Sequence, residues 1–209
     1  MEREAWNRKH GEAGLLFGAE PNRFLVAEVE GLAPGRALDL ACGAGRNAVW
    51  LAERGWTVLG ADFSDVALEN ARGLAADRGV EVEWEQADLR EWKPPARAFD
   101  LVVVLYLQVP GDELRSALGN AAEALAPGGT VLVVGHHLEN LENGYGGPSN
   151  PAVLYTPDQV AAALDGLEIE KAEPILRPVE GERDAIDVLV RARRTRSDRQ
   201  RPAGDRAGR

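Results

Sequence analysis

The stretch that most constrains the fold covers residues 36–64 and reads RALDLACGAGRNAVWLAERGWTVLGADFS. A short apolar run ends in a turn with glycines at Gly43 and Gly45, and apolar residues then recur at helical spacing. Gly55 ends this helix, a second apolar run follows, and Asp62 closes it with a carboxylate about twenty residues beyond the first loop glycine. The pattern predicts strand, tight loop, helix and strand, which is typical of a nucleotide-binding βαβ unit.

Each residue type in this unit suits a nucleotide ligand. Glycines allow positive φ and a close approach to the backbone, while the helix start near Arg46 offers unpaired amides and the positive end of the helix dipole. Asp62, expected at an accessible strand tip, can accept two hydrogen bonds from vicinal ribose hydroxyls. Because Gly43, Gly45 and Ala48 also fit the GxGxxA fingerprint, this stretch alone leaves NAD open as a ligand.

Asp39 narrows the choice of ligand. It stands four residues before Gly43 in the predicted first strand, where a carboxylate repels a pyrophosphate and attracts an ammonium group. The string DLACGAG resembles the acidic-plus-glycine signature of class I S-adenosylmethionine (SAM)-dependent methyltransferases. The wider stretch resembles the small bacterial branch of that superfamily, the tellurite-resistance and thiopurine-type methyltransferases. The resemblance covers about residues 6–193 and is most specific over 35–89.

The resemblance implies an α/β fold, namely a Rossmann-like, doubly wound, mostly parallel seven-stranded sheet with a C-terminal antiparallel hairpin. The residues themselves agree, because the continuous apolar run FDLVVVL at 99–105 is typical of a central strand buried on both faces. The other predicted elements are helices over 65–78 and 111–125 and strands at 80–84, 130–135, 167–172 and 185–190.

The resemblance also implies an activity. Such an enzyme transfers the sulfonium methyl group by in-line displacement to a small-molecule S, O, N or chalcogen nucleophile, releases S-adenosylhomocysteine and needs no metal. It implies that the acidic Asp88 meets the adenine amino group and that the Leu89 amide meets the ring. Cys42 is interpreted as a small buried residue of the loop rather than a nucleophile. The predicted cofactor-binding residues are Asp39, Ala41, Cys42, Gly43, Gly45, Arg46, Asn47, Asp62, Phe63, Ser64, Asp88, Leu89, Leu105 and Tyr106.

Two segments are predicted to contribute residues to the binding site of the methyl acceptor. Residues 1–30 are expected to form a helical cover over the site, with Trp6, Phe17 and Arg23 as pocket candidates and ordinary packing as the alternative for each. The long segment 138–155 is expected to be a lid carrying Tyr145.

No catalytic residue is assigned from the sequence. Tyr106, His136 and His137 are candidates because they follow predicted strands. Adjacent histidines at a strand tip point to opposite sides, so at most one of them is expected to reach the pocket.

Two other functions stay open. An NAD-dependent oxidoreductase fits the glycine fingerprint and Asp62 but is opposed by Asp39 and Asp88. A SAM-binding module without catalysis, acting in regulation, fits the same cofactor residues, because binding does not prove turnover.

Length, charge and composition predict the domain organisation, the partners and the location of the protein. The 209 residues predict one domain over 1–193, followed by an arginine-rich tail at 194–209 that is predicted to be disordered. Residues 191–209 hold eight arginines and two aspartates, which leaves a net charge of about −16 on the rest and disfavours nucleic acid as a partner. With no apolar run of membrane-spanning length, no signal-peptide pattern and one cysteine, a cytoplasmic monomer or homodimer without membrane contact is expected.

Overall fold

The computed structural model describes residues 3–196. Its helices are α1 (Arg3–Ala13), α2 (Arg23–Val29), α3 (Arg46–Glu53), α4 (Asp65–Arg78), α5 (Gly111–Ala124), α6 (Asn140–Asn143) and α7 (Pro157–Ala162). Its strands are β1 (Arg36–Leu40), β2 (Thr57–Asp62), β3 (Glu83–Gln86), β4 (Phe99–Leu105), β5 (Leu125–His136), β6 (Glu168–Arg177) and β7 (Ala185–Arg193). From residue 197 onward the predicted tail lies outside the described residues, so its disorder stays a prediction, as does the single-domain boundary at residue 193.

The strands form one seven-stranded sheet in the order β3-β2-β1-β4-β5-β7-β6. All neighbouring pairs are parallel except those of β7, which runs antiparallel to both β5 and β6. The predicted Rossmann-like sheet with its C-terminal antiparallel hairpin is therefore confirmed.

Strand β4 lies at the centre of the sheet, which explains why its sequence is apolar after Asp100. Val102 and Val104 pack with residues of α5 and α7 on one face. Leu101 and Val103 pack with residues of α2 and α3 on the other face. Because helices cover both faces, the period-two alternation of a half-exposed strand is absent.

The start of β3 differs from the prediction. The alternation at 80–84 suggested a strand from Val80, yet β3 begins at Glu83. Gly79 ends α4 in the left-handed conformation, and the Val80 amide donates to the carbonyl of Ala75. The helix cap therefore uses a backbone group that the strand would need.

Strand β6 is longer than predicted, and this matters for the site. It continues past residue 172 to Arg177, pairing with β7 along its length. The extension places Arg177 at the end of the sheet where the central strands also finish.

The predicted lid at 138–155 is partly structured. It contains α6 and a single 3-10 turn at Pro151–Val153. The buried side chain of Asn140 anchors it, because Nδ2 donates to the carbonyl of Gly146 and Oδ1 accepts from the amide of Ile186. No helix within residues 3–196 is long and apolar enough to cross a membrane.

Candidate functional site

A cavity of about 1260 Å³ opens where the central strands end. Its wall includes Ala41 after β1, Phe63 after β2, Tyr106 after β4 and His136 at the end of β5. The chain adds β2 and β3 on one side of β1 and then β4 and β5 on the other. The segments that follow β1 and β4 therefore leave toward opposite faces of the sheet, and a crevice opens between them. The volume exceeds the roughly 300–1,000 Å³ of most small-molecule pockets, which gives room for two ligands side by side.

Residues 41–45, called here the glycine loop, join β1 to α3 in a conformation that favours glycine. Ala41, Gly43 and Gly45 have φ angles of 57°, 54° and 78°. A Cβ atom on Gly45 would lie 2.6 Å from the Trp84 ring, so the loop needs glycine here for space as well as for conformation. Gly45, the N-cap of α3, has no side chain to satisfy the first amides of the helix, and the Ala48 amide in its first turn is hydrogen-bonded to the buried Asp39 carboxylate.

Asp62 is fixed beside the glycine loop by backbone amides. Oδ2 accepts from the Gly43 amide and Oδ1 from the Ser64 amide, both at 2.9 Å. The expected accessible strand tip is wrong, because Asp62 is only 6% exposed, although it lines the cavity. Burial raises the pKa of Asp62, and the two amide hydrogen bonds oppose that rise. Each carboxylate oxygen keeps a second lone pair that can accept from a ligand.

Asp39 lies under the glycine loop rather than on the cavity wall. It is 1% exposed, and its Oδ2 has no hydrogen-bond partner among the described residues. Burial and the nearby charge of Asp62 raise the pKa of Asp39 to about 7. This orphaned oxygen marks a site that a cationic or hydrogen-bond-donating group would stabilise.

Asp88 and Leu89 follow β3 and both line the cavity, at the place where the adenine contact is expected. The Asp88 carboxylate also binds Arg90 in a bidentate pair, with Nε 2.9 Å from Oδ1 and Nη2 2.5 Å from Oδ2. The hydrogen bonds from Arg90 lower the pKa of Asp88 against a small opposing effect of burial. Asp88 therefore combines a cavity position with the turn-stabilising role, since it also accepts from the Arg90 amide.

On the side of the sheet formed by β4, β5, β7 and β6, three side chains meet at one buried carboxylate. Asp187 of β7 is fully buried and accepts from Tyr106 Oη at 2.7 Å and Arg177 Nε at 2.7 Å. Its Oδ1 lies 3.2 Å from Nδ1 of His136, the residue paired with it across the β5–β7 ladder. We call Asp187, Tyr106, His136 and Arg177 the Asp187 cluster.

The sequence interpretation missed Asp187 and Arg177. Arg177 lines the cavity, and Asp187 holds it there. The signal that could have found Asp187 is a carboxylate at an inward position of the apolar strand AIDVLV, where a charge must be paired.

The two adjacent histidines have separate positions. His136 lines the cavity, and its ring centroid lies 4.8 Å from that of Tyr106. His137 is buried away from the cavity, and its Nδ1 accepts from the Glu139 amide. The structure thus brings only one of the pair to the pocket and gives the other a local structural role.

The N-terminal cover contributes one wall. Trp6, Phe17 and Arg23 line the cavity, and so does His10, a residue that the sequence interpretation did not single out. His10 is 3% exposed and faces the glycine loop, since its Cε1 would lie 3.7 Å from a Cβ on Gly43.

The predicted site residues divide into two groups. Those lining the cavity are Trp6, Phe17, Arg23, Ala41, Cys42, Gly43, Arg46, Asn47, Asp62, Phe63, Asp88, Leu89, Leu105, Tyr106 and His136. Those not lining it are Asp39, Gly45, Ser64, His137 and Tyr145.

Two of the second group have clear structural reasons. Ser64 caps α4 by accepting from the Ala67 amide and also donates to Asn7. Tyr145 was expected in the pocket but is 43% exposed, because the anchored loop presents Gly147 and Pro148 to the cavity instead. Within residues 3–196 no group of three His, Cys, Asp or Glu side chains is arranged to hold a metal ion.

Comparison with known proteins places this geometry in context. Residues 37–129 match a family model described as a methyltransferase domain. Demethylmenaquinone methyltransferase of Thermus thermophilus is 41% identical over 124 residues, which cover 57% of this chain and 56% of that protein. Ubiquinone biosynthesis O-methyltransferase of Alkalilimnicola ehrlichii is 33% identical over 130 residues, covering 61% and 53%. The chain spans about half the length of these curated relatives.

Solved structures show the same architecture over most of the chain. A protein described under the conversion of a disulfide bond into a thioacetal group during echinomycin biosynthesis has a TM-score of 0.73 at 25% identity, covering 93% of both chains. A SAM-dependent methyltransferase from Mesorhizobium loti has a TM-score of 0.66 at 24% identity, covering 82% and 96%. The fold is therefore that of class I methyltransferases.

Proposed function

We propose that this chain is a SAM-dependent methyltransferase that acts on a small-molecule acceptor. The observation that carries the proposal is the glycine loop with the Asp62 carboxylate fixed beside it, at one end of a cavity with room for two ligands. This arrangement lies inside the segment that matches the methyltransferase domain.

The residues present fit the proposed methyl donor. Asp62 retains lone pairs toward the cavity for vicinal ribose hydroxyls, and its two amide hydrogen bonds orient it before binding. Asp39 lies buried beneath the loop, and its carboxyl group favours an ammonium group over an anion at this end of the cavity. Phe63 and Leu89 supply apolar surface on the same wall for a purine ring.

Bound there, SAM supplies a methyl group that is already activated by its sulfonium. The task left to the chain is to orient the acceptor and exclude water, and such positioning can contribute roughly 7–11 kcal/mol. Trp6, Phe17 and Tyr106 line the cavity and provide aromatic faces that stabilise a cation by about 0.5–2 kcal/mol each.

The proposal names a class of methyl acceptor and no single compound. The relatives include demethylmenaquinone, ubiquinone-biosynthesis and 2-heptyl-1-hydroxyquinolin-4(1H)-one methyltransferases. These names favour a small organic acceptor, and S, O, N and chalcogen nucleophiles all remain within the proposal. The tellurite-resistance and thiopurine-type branch stays a prediction, as do the cytoplasmic location and the monomeric or dimeric state.

An NAD-dependent oxidoreductase is not favoured. Its support was the glycine fingerprint and Asp62, and both occur equally in the proposed methyl-donor site. Asp39, buried under the loop with an unpartnered oxygen, opposes a doubly anionic pyrophosphate at that position.

The test is parallel calorimetric titration of the purified protein with S-adenosylhomocysteine, SAM and NAD. We expect micromolar binding of the two sulfur compounds and none of NAD, followed by methyl transfer in a screen of small phenols, thiols, tellurite and halides. Binding of NAD without binding of the sulfur compounds would overturn the proposal. Binding of SAM without transfer to any acceptor would favour the regulatory module instead.

A further inference from the structure

The Asp187 cluster lies on the cavity wall formed at the ends of β4, β5 and β6, on the other side of β1 from Asp62. Its Tyr106 is shared with the proposed donor site. Asp187 is fully buried, and a buried carboxylate is costly unless donors pair with it. Three side chains, those of Tyr106, His136 and Arg177, supply those donors, and all three also line the cavity. The network is therefore a polar wall facing the space left for the acceptor.

The network determines which nitrogen of His136 carries hydrogen. Burial acts to raise the pKa of Asp187, but the hydrogen bonds from His136, Arg177 and Tyr106 outweigh it and lower the pKa. An ionised carboxylate can only accept, so Nδ1 of His136, 3.2 Å away, must be the protonated nitrogen. The neutral imidazole then carries its lone pair on Nε2, which lies across the ring from Asp187.

The ring of His136 is also held in place. It packs against Tyr106 with centroids 4.8 Å apart, and a Cβ on Gly147 would approach Nδ1 to 3.1 Å. Its side chain is 11% exposed. The ring of His136, which lines the cavity, is thus oriented with Nε2 on the side away from Asp187.

The other members of the cluster suit a neutral base. Arg177 offsets the charge of Asp187, so the cluster with neutral His136 has no net charge, and Asp187 can stabilise an imidazolium once it forms. Burial and the adjacent Asp187 raise the pKa of Tyr106, so its hydroxyl stays protonated as a donor and is unsuited to act as the base.

A preoriented base is needed only by some acceptors. An amine attacks through its free lone pair, and a thiol with a pKa of about 8.5 is already partly ionised at neutral pH. A phenolic hydroxyl, with a pKa of about 10, keeps its proton and gains most from a base at the reacting atom.

We propose that His136 is the general base for a hydroxyl acceptor of phenol type and that Asp187 is its positioning residue, an inference that rests on the proposed function. In the step, the acceptor oxygen forms a bond to the methyl carbon, and the carbon–sulfur bond breaks with its electron pair left on sulfur. The hydroxyl proton passes to Nε2 of His136. Asp187 holds the Nδ1–H tautomer and stabilises the imidazolium that results.

The first test compares His136→Asn with a series of phenols whose ring substituents lower the hydroxyl pKa stepwise. Asparagine keeps a donor to Asp187 and removes Nε2. For the least acidic phenols we expect His136→Asn to be slower than the wild type by about 10²–10⁴-fold, and the gap should close for phenols already ionised at the assay pH. The matched control is His137→Asn, which preserves the acceptor for the Glu139 amide and should behave as the wild type throughout.

The second test needs no turnover. Long-range ¹H–¹⁵N spectra report the tautomer of each imidazole, and the two asparagine variants assign the signals of the three histidines. We expect the neutral form of His136 to be the Nδ1–H tautomer. An Nε2–H tautomer overturns the proposal.

The outcomes separate this inference from the proposed function. A wild type that fails to bind S-adenosylhomocysteine contradicts the proposed function itself. Normal binding with a rate gap that is the same for all phenols, or with no phenol methylated, overturns the role of His136 and the hydroxyl acceptor while leaving the donor site in place.

Discussion

The two ends of the cavity are built in different ways. At the glycine loop, the carboxylate of Asp62 is held by backbone amides 19 and 2 residues away in sequence. In the Asp187 cluster, the carboxylate is held by side chains of Tyr106, His136 and Arg177, which are 81, 51 and 10 residues away. One end is made by local backbone geometry, and the other by side chains that only the finished sheet brings together.

This difference teaches which end can vary without loss of the fold. Backbone amides stay in place whatever the neighbouring side chains are, so the glycine loop suits a ligand of constant shape. The Asp187 cluster depends on four side-chain identities at strand ends, so substitutions there can alter acceptor chemistry while the sheet persists.

The largest expected effect comes from removing the Asp187 carboxylate. Asp187→Ala leaves Arg177 and the hydroxyl of Tyr106 without their buried acceptor, and removing one partner of such a network costs about 3–5 kcal/mol. We expect urea unfolding to show this loss. Asp184→Ala, at an exposed position just before the same strand, is the control and should change stability by less than about 0.5 kcal/mol. If both variants are equally stable, the hydrogen bonds to Asp187 do not contribute measurably to the free energy of unfolding.

The next largest expected effect is on the pH dependence of stability, to which Asp39 and Asp187 contribute with opposite signs. The folded pKa of Asp39 is about 7, above its usual value of 3.8, so the folded state holds the extra proton between about pH 4 and 7. Stability from this group is therefore complete at low pH and falls as pH rises through that window, by no more than about 1.4 kcal/mol per pH unit.

Asp39→Asn isolates this contribution. The wild type should lose stability relative to the variant from pH 5 to 8 in urea titrations, because asparagine mimics the protonated form. Asp187, whose pKa is lowered, has the opposite sign, since its contribution is lost as pH falls. A variant with the same pH slope as the wild type would contradict the raised pKa of Asp39.

The sequence predicted the glycine loop because all its determinants lie within one short stretch. Gly43, Gly45 and Asp62 are spaced along the chain as the βαβ unit requires, and the structure keeps that spacing. The apolar run of β4 was equally predictable, because helices cover both faces of its buried part, Leu101–Leu105.

The Asp187 cluster could not be predicted in the same way. Its members come from β5, β6, β7 and the residue after β4, and Arg177 enters the site only because β6 runs farther than its apolar residues suggest. Strand register decides that His136 faces Asp187, and register depends on the whole sheet rather than on local pattern. The burial of Asp62 was missed for a related reason, since the N-terminal cover packs over a strand tip that looks exposed in the sequence.

Asp62→Ala tests the glycine-loop end directly. Removal of the carboxylate should weaken S-adenosylhomocysteine binding by about 1.5–3 kcal/mol, measured by calorimetry, because charge-assisted hydrogen bonds are lost. The amides of Gly43 and Ser64 also lose their acceptor, so stability should fall as well, unlike the behaviour of an accessible strand tip. Unchanged affinity in the folded variant would remove Asp62 from the site.

The smallest expected effect tests whether the glycine loop depends on the conformation and space that glycine allows. Gly45→Ala places a Cβ 2.6 Å from Trp84 at a φ of 78° and should cost about 1–3 kcal/mol of stability. Gly73→Ala, at an exposed position inside α4 with open space around it, should instead stabilise the protein by about 0.5–1 kcal/mol. Opposite signs in thermal unfolding would show that glycine is required at the loop for its conformation and space, whereas equal signs would deny the loop that role. If Gly45→Ala also weakens ligand binding while His136→Asn does not, the two ends of the cavity are energetically separate.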